Sequence, residues 1–299
     1  ANLNYGNFLV GENKVDSVVV SNDCTGTLSI ASVTSDNGIY TISPTTASVN
    51  PNGAKTFYIT FAPSSVGAAA GTITFNHNAG PSKNKIVIGK KKNVADVENE
   101  KGVTSVVKTE NAISVTGTGI APNWNVTPAT LAYGSVRVGQ TKSDTVVVSN
   151  NGTAALTIAS VVSSDAQFTV TPATATIAVN GTETFTITFA PTSVGAKASD
   201  VVFTHNANGS PDTVTVGGTA IAPTFSVNPV SVAFGNVLVG TTKNDSVIVT
   251  NTGTASLSIS SVTSNQNEFT VTPATSTLEA NASQTFVLTF APTSTGAKT

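Results

Sequence analysis

Apolar and polar residues alternate with a period of two along most of this chain. In TFYITF, Phe57, Ile59 and Phe61 fall on one side of an extended backbone and Thr56, Tyr58 and Thr60 on the other. That is the pattern of a strand with one face in a core and one in water. TFTITF from Thr184 and TFVLTF from Thr285 repeat it. The segments SVVVS, LTIASV, FTVTP, VVFTH and TVTVGG are short and rich in β-branched residues, which fit a pleated surface. Turn signals such as NNGTA, NTGTA and ANGSPD separate them. No window of 11–18 residues carries apolar positions at helical spacing, so the pattern predicts strands throughout.

The strands recur in blocks. LNYGNFLVGENKVDSVVVSN from Leu3 matches LAYGSVRVGQTKSDTVVVSN from Leu131 and VAFGNVLVGTTKNDSVIVTN from Val232. Tyr5, Tyr133 and Phe234 align at spacings of 128 and 101, so the first block carries 128 − 101 = 27 extra residues. They fall between His77 and Pro122, 45 positions apart, where His205 and Pro223 are 18 apart. A period near 100 is too long for a solenoid and suits independent domains, each with its own core. The GTGIAP and GTAIAP junctions near Ile120 and Ile221 place boundaries at 1–120, 121–221 and 222–299, with the insertion at about 83–110. Such short Gly/Pro linkers imply semi-rigid beads. Seven or so short strands in about 100 residues predict an all-β chain of three tandem immunoglobulin-like sandwiches, a closed barrel being the weaker choice.

The outer blocks are incomplete on this alignment. Ala1 aligns with Ala129, so the first lacks a counterpart of the WNVTP segment at Trp124. Thr299 aligns with Ala198, so the third lacks the counterpart of 199–223, which carries the last two strands. The chain starts at Ala and contains no Met, as expected of a processed, trimmed or excised piece.

Composition narrows the function. Charged residues are 10% of the chain, against about 25% in an ordinary soluble domain. Thr, Ser and Asn together make 109 of 299 residues, so the surface is polar through hydroxyls and amides. A net charge of −2 gives no basic field for nucleic acid. No apolar run reaches the roughly 18–20 residues of a membrane-spanning helix. One Cys and two His leave no disulfide framework and little for a metal centre. G-x-S-x-G, Walker, G-x-G-x-x-G and H-E-x-x-H signatures are all absent. The expectation is therefore a structural or binding protein with no catalytic, cofactor or metal residues.

The combination P-x-x-L-x-Y/F-G-x-V-x-V-G, then S-N-x-G-T, then T-F-x-I-T-F-A-P and a terminal V-x-G-T-x-I-A-P resembles the ASH (Hydin-like) repeats. In bacterial surface proteins such repeats are often called choice-of-anchor D. The resemblance covers nearly everything except the insertion. It implies an immunoglobulin-like sandwich, no shared catalytic residues, and, given this composition, an exported multi-domain bacterial protein at the cell surface.

Four features compete for a role. His77 and His205 recur at strand ends and read as turn residues. The pairs Lys14/Asp16, Lys142/Asp144 and Lys243/Asp245 share a strand face and read as solvated pairs guarding a sheet. Cys24 sits in SNDCTG, the turn that holds NNGTA and NTGTA in the other two blocks, and reads as a lone thiol outside the shared pattern, an intermolecular disulfide being the weaker choice. Sequons at Asn125, Asn151, Asn180, Asn208, Asn244 and Asn281 are no more than such Ser/Thr-rich sequence yields by chance.

The insertion is the segment the repeat does not explain. Residues 83–110 hold seven of the 14 basic residues and four acids, a local +3 against −5 elsewhere. It reads either as a solvated hairpin or as a contact element. The reading that follows is an extracellular structural protein, a filament or surface-fibre subunit assembling head to tail with copies of itself. Strand donation into the open third block would supply the joint. The donor is either the insertion, through Val103, Val106 and Val107 with Lys90, Lys91 and Lys92 facing an acidic neighbour, or the N-terminal ANLNYGNF. The alternatives are an adhesin or stalk spacer from a larger surface protein, with a cell-surface or carbohydrate partner left open, and the accessory domains of a secreted enzyme.

Overall fold

The structure is a computed structural model that describes residues 2–79, 86–90 and 111–299; within these the regular elements are all strands. Repeat 1 contains β1 (Asn2–Leu9), β2 (Lys14–Asn22), β3 (Leu28–Ser35), β4 (Tyr40–Ser43), β5 (Ala47–Val49), β6 (Ala54–Phe61), β7 (Gly67–His77), β8 (Ile86–Lys90) and β9 (Ala112–Ile120). They form two sheets, ordered β1-β9-β7-β3-β5 and β4-β6-β2-β8. Neighbours pair antiparallel except β1, which runs parallel to β9.

Repeat 2 contains β10 (Asn125–Thr127), β11 (Thr130–Arg137), β12 (Lys142–Ser149), β13 (Leu156–Ser163), β14 (Phe168–Thr171), β15 (Ala175–Ile177), β16 (Thr182–Phe189), β17 (Gly195–His205) and β18 (Asp212–Ile221). Its sheets are β11-β18-β17-β13-β15 and β10-β12-β16-β14, the spatial arrangement of repeat 1 with β10 in the place of β8.

Alternation places the core as expected. Phe57, Ile59 and Phe61 of β6 and Phe185, Ile187 and Phe189 of β16 are wholly buried between the sheets. Each repeat also gathers three rings at one end of the sandwich: Tyr5, Tyr40 and Phe61; Tyr133, Phe168 and Phe189; Phe234, Phe269 and Phe290. The buried tyrosine hydroxyls are satisfied, Tyr5 donating to the Ile59 carbonyl at 2.6 Å and Tyr133 to the Ile187 carbonyl at 2.5 Å.

Repeat 3 keeps one sheet and loses the other. β19 (Phe225–Asn228), β20 (Lys243–Asn251), β22 (Phe269–Thr272) and β24 (Ser283–Phe290) pair as β19-β20-β24-β22, matching β10-β12-β16-β14. Opposite them stand only β21 (Leu257–Ile259) and β23 (Ser276–Leu278), paired with each other. The two absent strands take a third with them. Residues 232–239 resemble β11 closely but form no strand, because β11 is held by a ladder to β18, which has no counterpart here. β21 is likewise three residues where β13 is eight, since the β17 ladder that holds β13 is missing.

Candidate functional site

The open side of repeat 3 is the largest departure from a closed sandwich. In repeat 2, Val201 and Phe203 of β17 and Val214 and Val216 of β18 close the core. With no counterparts in repeat 3, the opposing residues lose cover. Leu156, Ile158, Phe168 and Ile187 are buried, whereas Leu257, Ile259, Phe269 and Leu288 at the same repeat positions are only partly so. A groove of about 1570 Å³ results, with Val232, Phe234, Phe269, Val271, Leu288 and Phe290 on its walls. Leu238 at its rim is 76% exposed. The groove thus offers apolar walls and an unpaired backbone edge, the two requirements for accepting strands from another segment.

Glu268 and Lys298 frame one end. The Glu268 carboxylate accepts from the Thr293 N–H at 2.7 Å and its hydroxyl at 2.8 Å, and pairs with Lys298 at 3.0 Å. These donors, the Thr293 amide foremost, hold its pKa down at about 2. The contact ties the segment after β24, whose Lys298 lines the groove, to the residue just before β22.

The lysines of the repeated Lys-x-Asp pairs serve the fold. Lys14, Lys142 and Lys243 donate to the carbonyls of Tyr5, Tyr133 and Phe234, at 3.1, 2.7 and 2.7 Å. Asp16, Asp144 and Asp245 each accept the following residue's N–H at 2.8 Å. The histidines also act locally. His77 Nδ1 accepts from the Ala79 N–H and His205 Nδ1 from the Ala207 N–H. That assignment leaves Nε2 as the donor, to Asn111 at 2.9 Å and to Asp212 at 3.0 Å. Among the described residues no three His, Cys, Asp or Glu side chains gather as a metal would need. The positive backbone φ of 58–61° at Asn52, Asn180 and Asn281 accounts for Asn at this repeated turn, two of the six sequons included.

The insertion comes partly into view. β8 lies on the free edge of β2 in its own repeat, and Lys90, its last residue, pairs with Val18. Lys91, Lys92, Val103, Val106 and Val107 lie outside the described residues. The N-terminal segment is not available as a donor. β1 is laddered to β9, and its Leu3 and Tyr5 are buried in repeat 1.

A family model described as "Abnormal spindle-like microcephaly-assoc'd, ASPM-SPD-2-Hydin" (ASH) matches residues 1–84 and 219–299, together more than half the chain. A second, described as "HYDIN/CFA65/VesB-like, Ig-like domain", matches 122–219. The chain belongs to the ASH family. The matches do not single out the choice-of-anchor D group within it. No curated protein matches the sequence significantly.

Solved structures are similar to this chain at low identity. A protein of unknown function from Porphyromonas gingivalis W83 is 14% identical, with 71% of this chain and 93% of that one covered, at a TM-score of 0.31. The ASH/PapD-like domain 7 of human CEP192 is also 14% identical, covering 34% of this chain and 87% of its own, at 0.31. The CsuC–CsuE chaperone–tip adhesion subunit complex of Acinetobacter baumannii Csu pili is 10% identical, covering 55% and 89%, at 0.27. The three repeats of this chain share the order of one four-stranded sheet and differ in how complete the other sheet is. The third, open one carries the candidate site.

Proposed function

We propose that this chain is a structural subunit of an extracellular bacterial fibre. Its ASH repeats form a stiff arm, and copies join head to tail through the groove of repeat 3. The observation that carries this is the open core itself: a row of half-covered apolar side chains beside an unpaired edge, in a chain whose other two repeats bury the same positions. Leaving such a surface in water is costly, and strands from a neighbour, or from a continuation of the chain past Thr299, would cover it. With β1 committed to its own repeat, the donor falls to the insertion, through Val103, Val106 and Val107. Lys90, Lys91 and Lys92 would then lie against a neighbour from the more acidic remainder of the chain. A head-to-tail contact that does not close gives a filament.

Electron microscopy of the purified chain, with light scattering across a concentration series, tests this reading. Filaments that disappear in Val103→Asp/Val106→Asp support the donor assignment, and filaments that persist reject it. A monodisperse monomer at every concentration rejects assembly. It would favour the spacer reading, for which the pinned junctions between repeats speak: at each, the linker carbonyl of Ala121 or Ala222 accepts two backbone N–H groups of the next repeat.

A further inference from the structure

The joints that link repeat 1 to 2 and repeat 2 to 3 are built alike. Residues 121–123 lie across the turn after β12, and 222–224 across the turn after β20. The Ala121 carbonyl accepts from Thr153 and Ala154, and that of Ala222 from Thr254 and Ala255, at 2.8–3.1 Å. In return Ala121 and Ala222 donate to the hydroxyls of Thr153 and Thr254. Asn123 and Thr224 donate to the side-chain oxygens of Asn150 and Asn251, both fully buried.

The linker passes so close that the turn has no room for a side chain. A Cβ on Gly152 would lie 2.5 Å from both the Ala121 oxygen and the Asn123 nitrogen; on Gly253 it would lie 2.4 Å from the Ala222 oxygen and the Thr224 nitrogen. These are backbone atoms, so relief requires the linker to leave. Neither glycine has a left-handed φ, so the close approach alone demands glycine.

Repeat 1 has the same turn with Cys24 at that position. The Cys24 N–H reaches the Asn22 side-chain oxygen at 3.2 Å, as Gly152 and Gly253 reach Asn150 and Asn251 at 3.0 Å. Asn22 also donates to the carbonyls of Gly26 and Val49, where Asn150 donates to those of Ala154 and Ile177. The backbone is equivalent, so the Cys24 side chain occupies the path a linker would take.

A second, independent feature closes the other half of the joint. After each linker the chain enters β10 or β19, which adds antiparallel to β12 or β20. On β2 that edge is taken by β8, in the same direction and register. Val20 pairs with Ile88 and Ser21 with Val87, where Val148 pairs with Val126 and Ser149 with Asn125.

We infer that repeat 1 is an end cap: its socket for an upstream ASH repeat is shut by Cys24 at the linker seat and by β8 at the strand edge. Whatever precedes or approaches repeat 1, a further repeat or the Ile-Ala-Pro segment of another copy, cannot dock as repeats 1 and 2 dock on their successors. This holds with or without fibre assembly. It also gives residues 86–90 a role within their own repeat, as a built-in replacement for the strand that repeats 2 and 3 receive through the linker.

Amide exchange on the full chain tests the cap. A copy of residues 116–128 is fused ahead of Ala1, since Ala1 aligns with Ala129. The added Ile-Ala-Pro-Asn amides should exchange like unstructured chain, while the native Asn123 and Thr153 amides stay protected by at least about tenfold. In the same fusion carrying Cys24→Gly and lacking residues 84–110, the added segment should gain that protection. Protection already present in the unaltered fusion overturns the cap. Failure to gain protection in the opened variant also overturns it, because Cys24 and β8 would then not be what closes the socket. Gly152→Cys in the unfused chain should release protection at Asn123 and Thr153 while β16 and β17 amides stay slow. Unchanged exchange at those two amides would show that a side chain at this position does not exclude the linker.

Discussion

Trp124 lies flat against His205, with ring centroids 4.6 Å apart and planes 8° from parallel. The pair ties the first strand of repeat 2, on one sheet, to the end of β17 on the other. Phe225 stands at the Trp124 position of repeat 3, where no counterpart of His205 exists, and it is 57% exposed. Trp124→Ala should therefore destabilise repeat 2 by about 2 kcal/mol, less than a fully buried aromatic because Trp124 is only partly covered. Phe225→Ala should change stability by less than about 0.5 kcal/mol. Urea unfolding followed by circular dichroism distinguishes them, and equal losses would show that the stack contributes nothing of its own.

The same asymmetry should appear inside the cores. Ile187 in repeat 2 is wholly buried, while Leu288 at the matching position is half covered beside the groove. Ile187→Ala should cost about 3 kcal/mol and Leu288→Ala about 1 kcal/mol, since the second removes less buried surface and leaves no closed cavity. Phe185→Ala, at a wholly buried position of repeat 2, should cost about 3–5 kcal/mol. A Leu288→Ala loss equal to that of Ile187→Ala would mean that the groove is closed in solution by another segment.

Much of this architecture was legible in the chain because each repeat reports on the others. The 128-residue spacing carries β1–β7 onto β11–β17, and period-two alternation names Phe57, Phe61, Phe185 and Phe189 as core. Three things escaped that reading, each because it depends on a distant partner. Residues 232–239 look like a strand, but a strand exists only with a neighbour to bond, and theirs is absent. Residues 86–90 are rich in β-branched residues, yet the seat of β8 on β2 is a long-range choice that local pattern does not encode. Cys24 looked like an irregular turn residue, because the demand for glycine becomes visible only once the path of the linker over Gly152 and Gly253 is known.

Tyr133 offers an alkaline test. Burial, with the nearby Asp144 charge adding to it, raises its pKa from the ordinary value of 10.0 to about 12. The native state thus favours the neutral phenol, which also donates to the Ile187 carbonyl. The stability linked to this group is fully present below about pH 10, the unfolded value, and is lost as pH rises through about 12. Phenolate absorbance should show Tyr133 ionising only as repeat 2 unfolds. Tyr133→Phe, which makes repeat 2 like repeat 3 at Phe234, should cost about 1 kcal/mol at neutral pH. It should also remove this step.

Arg137, the chain's one arginine, reaches across the second joint to the Ser256 carbonyl at 2.7 Å and hydroxyl at 3.1 Å. The first joint has Leu9 at that place and no such bond to make. Arg137→Ala should leave the unfolding of repeat 2 unchanged and weaken the 2–3 contact by about 1 kcal/mol. Small-angle scattering should then show a broader distribution of maximum dimensions. Identical profiles for the two proteins would assign the joint's stiffness wholly to the linker hydrogen bonds.

Glu268 supplies an acid-sensitive latch at the groove. Its pKa is held at about 2, below the ordinary 4.5, first by the Thr293 backbone N–H, then by the Thr293 hydroxyl and by Lys298. A carboxylate whose folded pKa is depressed contributes its stability above the unfolded value and loses it as pH falls through the folded one. The window therefore runs from about pH 4.5 down to about 2, and the contact is fully formed at neutral pH. Repeat 2 has Gln167 at this position, which accepts from the Thr192 N–H at 2.9 Å without titrating. Amide exchange at Thr293, corrected for the intrinsic pH dependence, should accelerate across that window in the native chain. In Glu268→Gln it should stay flat, because the amide oxygen keeps the hydrogen bond and carries no proton equilibrium. Salt should weaken the Lys298 pair, whose lysine is partly exposed, more than the Thr293 bonds. If the corrected exchange of Thr293 is as flat in the native chain as in the glutamine variant, the carboxylate does not hold the segment after β24.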